Sequence, residues 1–334
     1  MGKRLNFIDN TRGFAIFLVV LGHCIPGEGN FKLWIFSFHM PLFFIISGYL
    51  LGIKEEKGLD IKELVQNRMK TLILPYFIFS LCIATFYLLL SLLSKELLIS
   101  EIQGYFIRII TFQGMESLWF LPCLFLAEII LSYMILKFKK SYIIILVTIS
   151  FISAIVGVDI NNKIIRVILR ACVAVMFALY GYLIYKYKYR IKDSSIFIIL
   201  MIITSIIFSK YNGFVGLGSF ELNNIFLYFL FGIIGSTGVL FLIKKFDNKE
   251  IKILKLYGIN SIVILCTHNI LLEIIRLLDY KISGNILLNM DMLGSIILSI
   301  IIMILEIPII IMCNRYLYFL FGKSKINNIN KKAI

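Results

Sequence analysis

Long apolar runs set the first limit on what this chain can fold into. A helix needs roughly 17–25 apolar residues to cross a bilayer. The sequence contains ten runs close to that length, at residues 13–27, 31–53, 71–94, 118–136, 142–158, 164–185, 195–210, 222–243, 258–278 and 293–314. Charged residues make up only 16% of the 334, against about 25% in soluble domains. We therefore predict an all-α integral membrane protein with about ten transmembrane helices.

The distribution of basic residues indicates how these helices are oriented. With the N-terminus placed inside, the segments predicted to be cytoplasmic contain 25 of the 34 Lys and Arg residues, as the positive-inside rule requires. We predict that both termini are cytoplasmic. The net charge of +15 then reflects topology, and we expect no nucleic-acid partner. Segment 102–114 is too short and too polar for a span and is either re-entrant or interfacial.

Loop lengths and cysteines define the domain organisation. The longest outer connection, 95–117, is too short for a soluble domain, so we predict one membrane domain over residues 1–322 and a basic cytoplasmic tail over 323–334. All six cysteines fall inside apolar runs without Cys-x-x-Cys spacing. This pattern indicates neither a disulfide framework nor a zinc site.

Two histidines and an arginine stand where lipid would otherwise be expected. Arg12 and His23 are eleven residues apart in the first span, which places both on one helical face roughly 16 Å apart along the axis. His39 lies at a similar predicted depth in the second span. Ionisable residues inside a span are functional candidates by default; the alternative is a snorkelling Arg12 with structurally bonded histidines. Two histidines alone are a weak metal signal, and we expect no metal.

The segments RGFAIFLVVLGH (12–23) and FHMPLFFIISGYLLG (38–52) resemble the membrane acyltransferase 3 family, bacterial enzymes that O-acylate surface glycans. The family's Arg-x10-His signature is matched by Arg12 and His23, and its HMPLFFxxSG stretch begins at His39. Further similar segments are 67–76, 117–128 and 257–271, so the resemblance covers residues 4 to about 271. Many members carry Arg-x-x-Arg where this chain has Arg68-Met-Lys70, so the second charge is shifted by one position.

This resemblance implies a reaction, a location and roles for several residues. It implies transfer of an acyl group, most often acetyl, from cytoplasmic acyl-CoA to a hydroxyl of a cell-surface or lipid-linked glycan, at the bacterial plasma membrane and without a permanently bound cofactor. Arg12, Arg68 and Lys70 would bind the CoA phosphates, because cations, and the arginine fork in particular, suit phosphate. His23 would act as general base or transient acyl carrier, and His39 would orient His23 or stabilise the oxyanion.

Four further residues are candidates for substrate binding. Glu128 and His268 fall within the family-like segments. Arg166 and Arg170 are spaced i, i+4 near the outer end of the sixth span, and because like charges on one helical face repel, we expect something anionic or aqueous opposite them.

A transporter or flippase of a glycan or lipid intermediate is the alternative function, since many spans and buried charges are also typical of transporters. A covalent product would separate the two functions. The oligomeric state stays open, with a homo-oligomer as one alternative.

Overall fold

The computed structural model describes residues 5–93, 99–138, 141–187, 194–246, 251–284 and 286–322, and over these ranges the regular structure is helical, apart from one isolated β-bridge. The predicted all-α class is confirmed. The helices are α1 Asn6–Cys24, α2 Asn30–Glu56, α3 Ile61–Arg68, α4 Leu74–Leu93, α5 Ile99–Ile110, α6 Phe120–Lys137, α7 Tyr142–Asp159, α8 Lys163–Lys186, α9 Ser195–Asn212, α10 Ile225–Lys245, α11 Lys252–Ile259, α12 Ser261–Ser283 and α13 Met292–Tyr316. A π-helical turn, Met69–Ile73, joins α3 to α4, and a 3-10 turn, Glu116–Trp119, precedes α6.

Nine helices in the described part are long and apolar enough to cross a membrane. The first of the ten predicted spans corresponds to α1, which is not among these nine helices. Its first half carries polar and charged side chains, including Asp9, Asn10 and Arg12. The cytoplasmic position of the termini stays a prediction, and the tail 323–334 lies outside the described residues.

The outer helices carry exposed apolar side chains of a kind that suits lipid. Ile144 on α7, Ile196 on α9 and Ile304 on α13 are all exposed. Polar residues are instead drawn inward, as with Ser150 on α7 and Ser205 on α9, which are fully buried. This inversion of the pattern seen in soluble proteins identifies a multi-pass membrane protein.

Close helix packing holds α1 and α2 in the interior. A Cβ on Gly48 of α2 would lie 1.8 Å from the carbonyl oxygen of Ala178 in α8, and one on Gly181 of α8 would lie 1.9 Å from the carbonyl oxygen of Ile45. Glycines at these points let the two backbones approach closely, as small residues do between membrane helices. Gly13 plays the same part between α1 and α11. The two helices that carry His23 and His39 are thereby fixed in position.

The bundle has two chemically different ends. We call the end where α2 finishes and α3 begins the basic end, because Lys54, Lys57, Lys62 and Arg68 lie there. At the opposite end, α5 is a short helix that exposes apolar side chains such as Ile102 and Phe106, as an interfacial helix does.

The loop between α9 and α10, residues 213–224, also lies at this opposite end and folds back on itself. Gly216 and Glu221 exchange two backbone hydrogen bonds of 2.7 and 3.0 Å. The Asn223 side chain donates to the carbonyl oxygen of Asn212 at 2.9 Å, and Val215 and Leu217 are buried. The loop therefore forms part of the protein interior, and it supplies one wall of a cavity.

Candidate active site

All three histidines of the chain come together at the end opposite the basic end. The ring centroids of His23 and His268 are 5.3 Å apart. The Phe36 ring is 6.5 Å from that of His23 and 4.9 Å from that of His39, so it lies between them. Three histidines from α1, α2 and α12 therefore share one small region, although His268 is 245 residues from His23.

Hydrogen bonds fix the tautomers of two of these rings. His39 Nδ1 lies 2.7 Å from the carbonyl oxygen of Ile35, and His268 Nδ1 lies 2.7 Å from that of Ile264. A carbonyl oxygen only accepts, so Nδ1 carries the hydrogen in both rings, and in a neutral ring Nε2 then holds a lone pair. His268 Nε2 is buried and has no hydrogen-bond partner within the described structure. It is thus available to accept a proton or a hydrogen bond near His23.

His23 stands at the junction of two cavities, both of which also include Phe36 and Phe214. Cavity A, of about 400 Å³, runs from Gly22 to Gly27 past Lys32 and Arg276. Cavity B, of about 390 Å³, includes His39 and the loop residues 214–219. Volumes of this order suit small-molecule ligands, so a reactant could reach His23 from either side.

Two cations hold the chain around His23. Arg276 Nη2 donates to the carbonyl oxygen of His23 at 3.2 Å, and Lys32 Nζ donates to that of Ile25 at 2.9 Å. Both carbonyls belong to the last turn of α1 or its cap, where the oxygens lack intrahelical donors and the helix dipole favours positive charge. These bonds fix the end of α1 on which His23 is mounted.

Glu128 and Arg68, which the sequence placed in different roles, form one ion pair. Arg68 bonds both carboxylate oxygens, through Nε and through Nη2, the latter at 2.8 Å from Oε1. The Ser47 hydroxyl also donates to Oε1, and Glu128 is only 1% exposed. Ser47 is eight residues along α2 from His39, which is about 12 Å. The structure therefore places Glu128 with Arg68 and not among the histidines.

The predicted donor-binding residues only partly come together. Half-buried Arg12 and Arg68 both lie within electrostatic range of Lys54, a residue that the sequence did not single out. Lys70 is exposed in the π-helical turn. It is two residues after Arg68, and residues two apart on a helix face different sides. The cationic cluster at the basic end thus consists of Arg12, Lys54 and Arg68.

Arg170 and Arg166 lie near cavity B. Arg170 Nη2 donates to the carbonyl oxygen of Gly218 at 2.7 Å, and its guanidinium lies 5.0 Å from the centroid of the Trp119 ring. Both Gly218 and Trp119 line cavity B. Arg166 Nε and two nitrogens of Arg170 are buried without hydrogen-bond partners in the described part of the chain.

The three histidines are not grouped as metal ligands. Over the described ranges no set of three or more His, Cys, Asp or Glu side chains is arranged to hold a metal ion. The arrangement is better suited to proton transfer or nucleophilic attack by an imidazole.

Fold and site together define a multi-pass membrane protein with a buried histidine centre. The family model described as an acyltransferase domain, that of the acyltransferase 3 family, matches residues 5–313, and the chain belongs to this family. The resemblance predicted from the sequence is thereby confirmed and extends through α12 into α13. No curated protein and no solved structure matches the chain.

Proposed function

We propose that this acyltransferase is an O-acyltransferase that moves an acyl group, acetyl in the first instance, from cytoplasmic acyl-CoA to a hydroxyl of a cell-surface or lipid-linked glycan. Membership in an acyltransferase family favours this reaction over transport, because a transporter leaves its substrate unchanged. The observation that carries the proposal is the position of His23 at the junction of two cavities, away from the basic end.

The basic end supports binding of the CoA nucleotide. Arg12 and Arg68 both lie within electrostatic range of Lys54 there, and Arg68 is paired with the buried carboxylate of Glu128. Arginine guanidinium groups and lysine ammonium groups bind phosphate through charge-assisted hydrogen bonds. Along α1, Arg12 and His23 are separated by roughly 16 Å, a distance comparable to an extended pantetheine arm. A nucleotide held near Arg12 could therefore present its thioester to His23.

The pairing of His23 with His268 supports a role in proton or acyl transfer. A small rotation of the His23 ring would let one of its nitrogens donate to the free Nε2 of His268, leaving the other nitrogen with a lone pair. That nitrogen either takes the proton from the acceptor hydroxyl while its oxygen attacks the thioester carbonyl, or attacks the carbonyl itself to form an acyl-imidazole. In both routes the C–S bond breaks, and the thiolate of CoA leaves and gains a proton. In the second route the acceptor hydroxyl then attacks the acyl-imidazole carbonyl, the C–N bond breaks, and the hydroxyl proton passes to the released imidazole.

Turnover of labelled acetyl-CoA by the full chain in nanodiscs tests the proposal. We expect His23→Ala to lower kcat for CoA release by about 10²-fold or more, with CoA binding unchanged. We expect Arg12→Gln to raise the KM for acetyl-CoA more than it changes kcat. The control is Lys210→Gln, which removes a charge from an exposed position on α9 and should change neither. Normal CoA release by His23→Ala, or absence of CoA binding by the wild type, would contradict the mechanism.

A further inference from the structure

Arg170 is a buried cation that forms no ion pair with the described residues. It is 7% exposed, and its one hydrogen bond within the described residues goes to a neutral carbonyl oxygen, that of Gly218. Its Nε and Nη1 are buried and have no partner there. Burying a guanidinium without an anion is strongly unfavourable, and ionised residues within spans accordingly pair or mark ligand pathways. Among the described residues, Arg170 thus has no anionic hydrogen-bond partner.

Arg166 adds to this imbalance. It lies one turn before Arg170 on the same face of α8, and its Nε is likewise buried without a partner in the described structure. Two like charges at i, i+4 repel each other. Arg170 creates a positive potential directly behind Trp119 and Gly218, which form part of the wall of cavity B, and the charge of Arg166 one turn away adds to it.

The interior of cavity B carries unused hydrogen-bond donors of its own. Tyr228 lines the cavity, is 2% exposed, and its hydroxyl has no partner over the described ranges. Arg108 also lines the cavity. The one acidic residue among the described lining is Glu116, an exposed side chain that already accepts a hydrogen bond from Tyr87 at 3.1 Å. Among the lining residues Arg108 and Glu116 carry opposite charges, so the excess of positive charge at cavity B comes from Arg170 and Arg166 behind its wall.

We propose that cavity B binds an oxyanion, a phosphate or carboxylate group carried by the acyl acceptor. Tyr228 and Arg108 would contact the oxyanion, and Arg170 and Arg166 would stabilise its charge from behind the wall. Because His23 and His39 line the same cavity, a bound anion would place a neighbouring hydroxyl beside the histidines. This inference rests on the proposed function in taking the ligand to be the acceptor sugar. The acceptor is then an acidic sugar or one bearing a phosphate ester.

Ligand-dependent thermal stability of the purified full chain, measured without any acyl donor, tests this site. The probes are the two anionic sugars glucose 1-phosphate and glucuronate, the dicarboxylate succinate, and neutral glucose. We expect one or both anionic sugars to stabilise the wild type and glucose not to. Arg170→Gln should raise the apparent Kd by about tenfold, the effect of one charge-assisted interaction. The matched control is Lys210→Gln, which removes a positive charge from an exposed site at the same end and should bind as the wild type does.

A second variant keeps the test valid if Arg170→Gln does not fold. Tyr228→Phe preserves the buried ring and removes only the unpartnered hydroxyl, and it too should weaken binding of the anionic sugar. Preference for glucose 1-phosphate would assign a phosphate, and preference for glucuronate a carboxylate.

Three results would overturn the oxyanion site: no stabilisation by any of the three anionic probes up to about 50 mM, far above the range of weak specific sites; equal stabilisation by glucose; or unchanged binding in both folded variants. Stabilisation by succinate alone would assign the anion to the acyl chain and refute the acceptor assignment. Anion binding that persists while acetyl-CoA is not consumed would refute the proposed function and leave the oxyanion site standing.

Discussion

Breaking the buried pair of Arg68 and Glu128 gives a quantitative test of how the basic end is held together. Glu128 is 1% exposed and accepts hydrogen bonds from Arg68 and from Ser47. Removing one partner of a buried ion pair costs about 3–5 kcal/mol because the other charge is left uncompensated. The Arg68 side chain is 21% exposed and can be partly hydrated. A glutamine can also still accept one of the bonds, so we expect Glu128→Gln to cost about 2–3 kcal/mol.

A double-mutant cycle isolates the interaction itself. Unfolding in mixed micelles, followed by tryptophan fluorescence, gives the free energy of unfolding for Glu128→Gln, Arg68→Gln and the double variant. We expect a coupling energy of about 2 kcal/mol. The control is Glu55→Gln, which breaks the 3.1 Å ion pair between Glu55 and Lys186. The side chains of Lys186 and Glu55 are 39% and 27% exposed, respectively. That exposed pair should contribute less than about 1 kcal/mol.

The reasoning is refuted by a coupling energy below about 0.5 kcal/mol between Arg68 and Glu128. It is equally refuted if Glu55→Gln costs as much as Glu128→Gln. Either result would mean that burial does not govern the strength of these pairs.

Three further tests probe helix packing, a buried carboxyl group and the loop that lines cavity B. Gly48→Ala would drive a Cβ into a main-chain carbonyl of α8 and should abolish the folded, monodisperse fraction in size-exclusion chromatography, whereas Gly104→Ala, with open space around it, should not. Within the described structure, the Glu306 carboxyl group accepts its hydrogen bonds from the Thr267 hydroxyl. Glu306→Gln should therefore change the free energy of unfolding by less than about 1 kcal/mol, whereas Thr267→Val should cost about 1–3 kcal/mol. Asn212→Ala removes side-chain bonds that tie this loop and should raise the KM for the acceptor but not for the donor.

The fold class was predictable because bilayer thickness dictates the length of an apolar run. The bounds of the helices were less predictable from the sequence. The first span was predicted at 13–27, whereas α1 runs from Asn6 to Cys24. Its polar first half, which includes Asp9 and Asn10, is buried in protein and not in lipid. Hydropathy carries no information on that difference, because it registers the polarity of a residue and not what surrounds it.

The candidate site was predictable only where its residues share a helix or a motif. The Arg12–His23 register follows from helix geometry, but the contact of His23 with His268 depends on how α1 packs against α12. The pairing of Arg68 with Glu128 is likewise a tertiary contact. The loop 213–224 gave no periodic signal, since it is held by side-chain bonds and by non-glycine residues at positive φ, among them Phe220.

The central claim is that His23 transfers an acyl group from a donor at the basic end to an acceptor at the opposite end. Sealed inside-out membrane vesicles that contain the chain and its native glycans test it most directly, with labelled acetyl-CoA added outside. We predict that label appears in lumenal glycan, that His23→Gln abolishes it, and that right-side-out vesicles incorporate none. Equal incorporation by His23→Gln, or by right-side-out vesicles, would contradict the account.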